Sequence, residues 1–518
     1  MEAPDLPPQV ESAAGRFRLN VLANLGYFLL NVGIGLWFTA YLIRKLGVDA
    51  YGLVPLATSI TAYVSILTIS LSGSVGRFVT IALAKRDDDA ANRTFNTALF
   101  ASIVAAIALL PVLTPLAIAA PLVLNVPPGQ EDGVRWLLLA TLAAFLITTV
   151  GSNFAVSSFA RNRFDIRSAI DSLSLVVRVS AVAAFFWWLT PQLWHVAAAS
   201  MFAALLWLAP TVWAWRRLTP TLRVRRRDFD RRQLRDLIST GGWLVINQTA
   251  AVLFLNIDLI VVNIMLGAKA GGSYAPVLQL SRMLRVLAGV VAGVLAPTIL
   301  SRHARQDTEG MVRISRQSVK LLGLAMALPI GLLCGLARPF LQTWLGRSFA
   351  DLAPLAWLLI GPLCINLAIL PLFSVQLALN KVRWPGIVSL VIGAGNLALA
   401  IILAGPMNLG IYGVAAAGAI TLTSKNAIYT PIYTAGILGR RLTAFFGAMM
   451  PSVVATALVA GAATALSSVT DLASWPRLLC ACIAVTVPYV PLAYFLLISG
   501  EERQTIRSLV FQRTNSRA

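Results

Sequence analysis

Long runs of apolar residues, separated by short polar turns, recur along almost the whole chain. A helix needs about 20 predominantly apolar residues to cross a bilayer. About fourteen windows meet that length, at roughly 19–43, 51–76, 94–120, 135–157, 168–189, 194–215, 241–266, 273–299, 315–340, 353–379, 384–404, 411–435, 443–467 and 474–499. They leave no room for a soluble catalytic domain. The pattern predicts an all-α polytopic membrane protein, and we number the windows spans 1 to 14. The polar head up to Asn20 leads into a run too long for the apolar part of a cleavable signal, so span 1 reads as a membrane helix. Several spans contain proline, among them Pro276, Pro297, Pro329, Pro362, Pro371, Pro431 and Pro488. Proline frees backbone carbonyls that neighbouring helices or cavity water must satisfy, so bent helices around a cavity and ordinary packing kinks are both open.

Composition agrees. Hydrophobic residues make up 58% and charged residues 12%, too apolar for a soluble fold of this length. The formal charge is +21, which on a soluble protein would suggest nucleic acid. Here nearly all Lys and Arg lie in loops, where positive charge sets topology, and nucleic acid is not an expected partner. Cys334, Cys364, Cys480 and Cys482 sit in apolar runs and read as small core residues. His195 and His303 are far apart and form no ligand set, so neither metal nor cofactor is expected.

Charge also orients the chain. The loops after even-numbered spans hold Arg77, Lys85, Arg86 and Arg93, then Arg161, Arg163 and Arg167, then the run from Arg216 to Arg235. Arg302, Arg305, Arg313, Arg316, Lys320, Lys381, Arg383, Arg440 and Arg441 continue the series. The opposite side holds few cations, with Arg44 and Lys45 as the local exception. Even loops and both termini are therefore expected in the cytoplasm.

A duplication runs through the chain. Leu46-Gly47 after span 1 returns as Leu266-Gly267 after span 7, displaced by 220 positions. Asp87 and Asp307 share that displacement, as do Arg161 and Lys381. Val196-Ala-Ala-Ala in span 6 and Val414-Ala-Ala-Ala in span 12 nearly share it. Six spans per unit is an even number, so both halves keep one orientation, the parallel-repeat plan of rocking transporters. The expected division is a six-helix bundle at 1–218, a basic cytoplasmic linker at 219–240, a second six-helix bundle at 241–437, and two extra helices with a tail at 438–518. The linker's Phe229, Leu234, Leu237 and Ile238 alternate with Arg231, Arg232 and Arg235, which suits a short helix on the inner membrane surface. Contact with anionic lipid headgroups is one reading; a solvated, topology-setting linker is the other.

Charge within a bilayer is costly and usually faces a cavity or a partner. Arg178 lies mid-span 5, Asp258 in span 7, Arg282 and Arg285 one turn apart in span 8, Lys425 in span 12, and Arg77 at the inner end of span 2. Asp258 lies about 12 Å from its outer helix end, and Arg282 and Arg285 about 14 and 18 Å from theirs, so Asp258 could meet one of them. Against these cations Asp258 is the one deep carboxylate in this reading. A cavity so lined prefers anions such as a pyrophosphate or acidic sugar. A purely structural account pairs Asp258 with Arg282 and lets Lys425 and Arg77 snorkel. Asn31, Asn247, Asn256, Asn396 and Asn426 offer hydrogen bonds to sugar hydroxyls, or else glue helices together. No Walker loop, GxSxG or HExxH occurs, so neither direct ATP use nor a familiar hydrolase site is indicated.

Leu46-Gly-Val-Asp-Ala-Tyr-Gly-Leu53, Ser72-Gly-Ser-Val-Gly-Arg77, Asn256-Ile-Asp258 with Leu266-Gly267, and Gly410-Ile-Tyr-Gly-Val-Ala-Ala-Ala417 resemble motifs of the polysaccharide transporter family. These are lipid-linked oligosaccharide (O-antigen) flippases of the multidrug/oligosaccharidyl-lipid/polysaccharide exporter superfamily. Gly271-Gly272-Ser273-Tyr274 departs from the Tyr51-Gly52 of the first half. The resemblance implies two six-helix bundles around a central cavity in the bacterial inner membrane. It also implies alternating-access translocation of undecaprenyl-pyrophosphate-linked glycans for surface polysaccharide synthesis, with no enzymatic activity. Implied partners are the lipid-linked glycan, membrane lipids and other polysaccharide-assembly proteins. On that reading Arg77, Arg178, Arg282, Arg285 and Lys425 would contact substrate and Asp258 would couple an ion. A multidrug exporter would need carboxylates for cationic cargo. A glycan polymerase or ligase would need a long outer loop.

Overall fold

The computed structural model describes residues 9–497, together with 500 and 503. Every regular element among the described residues is helical. The helices are α1 (Gln9–Leu46), α2 (Val48–Ala84), α3 (Asp88–Val123), α4 (Glu131–Ala160), α5 (Phe164–Trp188), α6 (Leu193–Leu218), α7 (Arg231–Leu266), α8 (Ala268–Ala304) and α9 (Thr308–Gly335). They continue as α10 (Ala337–Leu345), α11 (Ala353–Ile360), α12 (Leu363–Asn366), α13 (Leu370–Ala378), α14 (Arg383–Ala404), α15 (Gly410–Ser424), α16 (Thr430–Ile437), α17 (Phe446–Val469) and α18 (Trp475–Leu492). Twelve helical segments among the described residues are long and apolar enough to cross a membrane. The windows left over, spans 2 and 12, are helical as well. Span 2 is α2, and span 12 is α15 and α16 joined by a π turn at Lys425–Tyr429.

Proline acts differently from span to span. Pro276 and Pro329 lie inside unbroken helices, whereas span 10 is cut into α11, α12 and α13. Pro362 caps α12 and Pro371 opens α13, where the missing N–H costs nothing.

The repeat is visible in the corners. α1 and α7 end at Leu46 and Leu266, α2 and α8 run from Val48 to Ala84 and from Ala268 to Ala304, and α3 and α9 start at Asp88 and Thr308. Every pair is displaced by 220. The one-residue turns between α1 and α2 and between α7 and α8 are Gly47 and Gly267, with φ of 83° and 90° that a side chain would strain. Asp87 and Asp307 both cap the helix that follows, accepting from Ala90 N at 2.9 Å and Gly310 N at 2.7 Å. The backbone N–H of Gly310 and the Arg302 guanidinium hold the Asp307 carboxyl below the usual carboxylate range. The two corners also touch. A methyl group on Gly52 would lie 2.5 Å from the Gly272 nitrogen, and one on Gly272 would collide with the Val48 carbonyl.

Contacts divide the chain into two compact units, Met1–Gly272 and Ser273–Ala518. The sequence expectation puts the division at 219–240. In the contacts α7 joins the first unit because it packs along α2 and α3. At one end of the α3–α7 contact Asn125 and Asn263 clasp each other. Asn125 N donates to Asn263 Oδ1 at 3.1 Å, Asn125 Nδ2 to Asn263 O at 2.8 Å, and Asn263 Nδ2 back to Asn125 O at 3.1 Å. The opposite end of the unit is held by an apolar cluster of Val75, Val79, Phe95, Leu99, Val156 and Trp215, with the Phe95 and Trp215 rings stacked 5.5 Å apart.

In the second unit the last two spans are firmly attached. Gly323, Ala327, Gly331 and Gly335 recur every fourth residue on α9 and let α17 approach closely. A methyl group on Gly331 would come within 2.7 Å of Val459 Cβ, and one on Gly335 within 2.5 Å of the Ala460 carbonyl. Ser452 Oγ on α17 reaches Gly323 O (3.1 Å) and Cys364 O (2.8 Å), and Tyr489 Oη on α18 donates to Leu324 O at 2.7 Å. Cys334 and Cys364 are buried as the sequence suggests, but Cys480 is exposed on α18, where a small apolar side chain faces outward at little cost.

Candidate functional site

Polar residues recur on α1 at Asn20, Asn24, Tyr27 and Asn31, a spacing of four, three and four that keeps them on one face. α5 presents Asp165, Ser168, Asp171 and Arg178 in a similar stripe. The two stripes meet. Asn20 Oδ1 accepts from Asp165 N at 3.0 Å, its Nδ2 donates to Asn162 O at 2.9 Å, and Ser168 Oγ donates to Asn24 Oδ1 at 2.8 Å. Higher up, Tyr27 hydrogen-bonds to Asn31 and lies in the field of Asp171, Arg178 and Arg167. Asp171 accepts from Trp207 Nε1 of α6 at 2.8 Å and faces Arg167 at 3.8 Å.

The upper end of this seam is open. Arg178, near the middle of the 25-residue α5, is exposed, and so is Asn31. A guanidinium exposed at mid-membrane would be very costly against lipid tails, so this face of the first unit borders water. An array of Arg178, Asn31 and Tyr27 can bind an anionic group beside hydroxyls.

The remaining predicted residues are on other helices. Arg77 is exposed on α2, next to Gly76, which packs against Val156 and Phe159 of α4. Asp258 is 5% exposed on α7, and its charge reaches the enclosed hydroxyl of Tyr63 on α2. In the second unit Arg282 and Arg285 are half-buried, one turn apart on α8. Lys425 is 8% exposed at the start of the π turn, its ammonium 5.1 Å from the centre of the Phe373 ring. That is a cation–π contact.

The asparagines separate into two groups. Asn396 Oδ1 accepts from Thr421 at 3.1 Å, and Asn426 Nδ2 donates to Asn366 Oδ1 at 3.0 Å. Asn366 in turn donates to Thr423 at 3.2 Å. These bonds tie α14 and the broken span 10 to α15 and its π turn, which is the interhelical role. Asn31 stays exposed, and the Asn247 side chain lies outside the described residues.

Sequence reasoning missed Asn24, Tyr27 and Asp171. Asp171 is a second carboxylate within the spans, so Asp258 is not alone there. It lies only about 10 Å along α5, close to the polar end, which hid it as a loop-side residue. The four-three-four rhythm on α1 was the available signal.

Comparison with known proteins fits this architecture. A family model described as polysaccharide biosynthesis protein matches residues 18–303, more than half of the chain. The uncharacterized membrane protein EpsK of Bacillus subtilis (strain 168) is 36% identical over 491 residues, covering 95% of this chain and 97% of its own. Among solved structures, the lipid II flippase MurJ in an inward closed conformation superposes with a TM-score of 0.65 at 14% identity, covering 94% of this chain and 100% of its own. An inward-facing multidrug resistance MATE family transporter of the MOP superfamily gives 0.61 at 14% identity, covering 87% and 100%. The fold is thus shared with both, and the chain itself belongs to the polysaccharide biosynthesis protein family.

Proposed function

We propose that this protein flips an undecaprenyl-pyrophosphate-linked oligosaccharide across the bacterial inner membrane by alternating access, for surface polysaccharide synthesis. The observation that carries the reading is Arg178, exposed at mid-membrane on a face that also presents Asn31 and Tyr27. Arginine binds phosphate through paired hydrogen bonds, and the amide and phenol suit sugar hydroxyls. Arg77, Arg282, Arg285 and Lys425 add positive charge along the route, and Asp258 serves as ion-coupling group or counter-charge. The repeat then acts as two six-helix bundles, 1–218 and 241–437, joined by 219–240, with 438–518 supporting the second.

The multidrug alternative is less favoured by the carboxylates. A cationic drug needs an accessible acid, yet Asp258 is buried and Asp171 is engaged by Trp207 and Arg167. A polymerase or ligase is disfavoured by turns as short as the single residues Gly47 and Gly267.

Deleting the gene and analysing the accumulated lipid-linked sugars tests the reading. Complete repeat units retained on the cytoplasmic leaflet are the expected result. Unpolymerised units on the outer leaflet would instead indicate an enzyme. We further propose that both termini and the 219–240 linker are cytoplasmic, from the distribution of Lys and Arg. A reporter fused at Thr219 should report cytoplasm, and an external signal there would reverse the orientation.

A further inference from the structure

The linker that enters α7 is not a loose connection. Leu222 anchors it in the apolar cluster around Phe95 and Trp215. On either side, two asparagines one turn apart on α3 take up its backbone. Asn92 accepts from Arg223 N at 2.7 Å and donates to Thr221 O at 3.0 Å. Asn96 accepts from Arg225 N and donates to Arg223 O, both at 2.8 Å. Further along, Asp230 N donates to Thr97 Oγ1 at 3.0 Å, and Gln233 Nε2 to Thr94 Oγ1 at 2.6 Å. A solvated spacer needs none of these bonds.

With the backbone held against α3, the side chains point away. Arg223, Arg225, Arg226, Arg227, Arg231 and Arg232 are all exposed, and none forms an ion pair among the described residues. The nearby Asp230 is engaged as the N-cap of α7, accepting from Arg232 N at 2.7 Å. Val224 and Phe229 stand exposed between the arginines. The level of the strap is marked by its neighbours. The apolar run of α3 starts just after Thr97. On α6 the exposed Trp213 carries the Arg217 guanidinium 4.9 Å from its ring centre, one turn before the helix ends. Tryptophan with arginine above it is the usual furniture of the headgroup layer.

We propose that this arginine strap is a binding surface for anionic phospholipid headgroups, with Val224 and Phe229 dipping into the boundary of the acyl layer. Fixed guanidinium groups at headgroup height match a phosphate in charge and in hydrogen-bonding geometry. Holding the backbone beforehand removes the ordering cost that a flexible basic loop would bear on binding. The inference does not depend on which cargo the protein carries.

The test uses the full-length protein reconstituted in bilayer discs of phosphatidylcholine with a minor fraction of phosphatidylglycerol. Native mass spectrometry then reads which lipid is retained. Wild type should enrich phosphatidylglycerol, and R223Q/R225Q/R226Q/R227Q should lower that enrichment by about tenfold or more, since each basic residue at the surface contributes appreciably. N92A/N96A keeps every arginine and loosens the strap, and should fall between the two. Enrichment should also weaken as salt rises. Wild-type enrichment in the glutamine variant, or preferential retention of an acidic soluble protein over the lipid, overturns the proposal. Should the glutamine variant not accumulate, enrichment by the wild type that is indifferent to salt overturns it equally.

Discussion

Arg178→Ala is expected to lower transport of the lipid-linked glycan by about ten- to a hundredfold while leaving insertion and accumulation normal. A hydrogen bond to a charged group contributes about 1.5–3 kcal/mol, and each 1.4 kcal/mol is about a factor of ten. The side chain is exposed and forms no ion pair among the described residues, so its removal orphans no carboxylate. Arg178→Lys should recover only part of the loss, since a point charge cannot reproduce the planar fork. Arg282→Ala and Arg285→Ala should act in the same direction, read by flipping in reconstituted vesicles alongside protein level. Asp258→Asn separates the two roles proposed for that carboxylate. Transport lost with normal accumulation marks ion coupling, whereas loss of folded protein marks a structural counter-charge. If all three alanine variants flip at wild-type rates, the anion-binding reading is wrong, and the proposed cargo would rest on family membership alone.

Gly331→Leu should detach α17 and α18 from the second unit. Even a methyl group at this position meets Val459, and the glycines above and below are similarly crowded by Ser452 and by Ala460 and Ala463. Overfilling a packed interface costs about 1–3 kcal/mol, and here the neighbour on one side is partly backbone, which cannot rotate away. Thermal unfolding in detergent should show a clearly lowered midpoint, with faster proteolysis at the α16–α17 connection. Gly461→Ala is the control, because nothing lies within 4 Å of a methyl group there. Equal midpoints for the two variants would mean that the seam does not hold these helices.

The membrane class and the approximate number of spans, fourteen expected against twelve long and apolar enough among the described residues, were legible in the sequence because hydrocarbon thickness imposes a length that soluble helices need not obey. The repeat was legible at Gly47/Gly267 and Asp87/Asp307, where backbone geometry demands particular residues. The attachment of α17 was not recognised, since glycines at fourfold spacing signal close approach without naming the partner. Nor was the hold that two α3 asparagines have on the linker backbone. Asn92 and Asn96 bond residues more than 125 positions away, and nothing in a local pattern announces so distant a backbone. Among the candidate residues, depth along a helix placed Arg178 and Asp258 within the membrane. It could not reveal that one is exposed and the other buried, because that depends on which neighbouring helix covers each face.

Gly52 and Gly272 are equivalent positions of the two repeats, and both lie where the two corners cross closely, Gly52 against the Gly272 backbone and Gly272 against Val48. Duplicated halves usually drift apart, each residue accumulating changes on its own schedule. These two are not free to do so, because a side chain on either one meets backbone of the opposite corner. The close crossing therefore keeps both copies at glycine, while a position beside them has diverged, Tyr51 in the first half against Gly271 in the second.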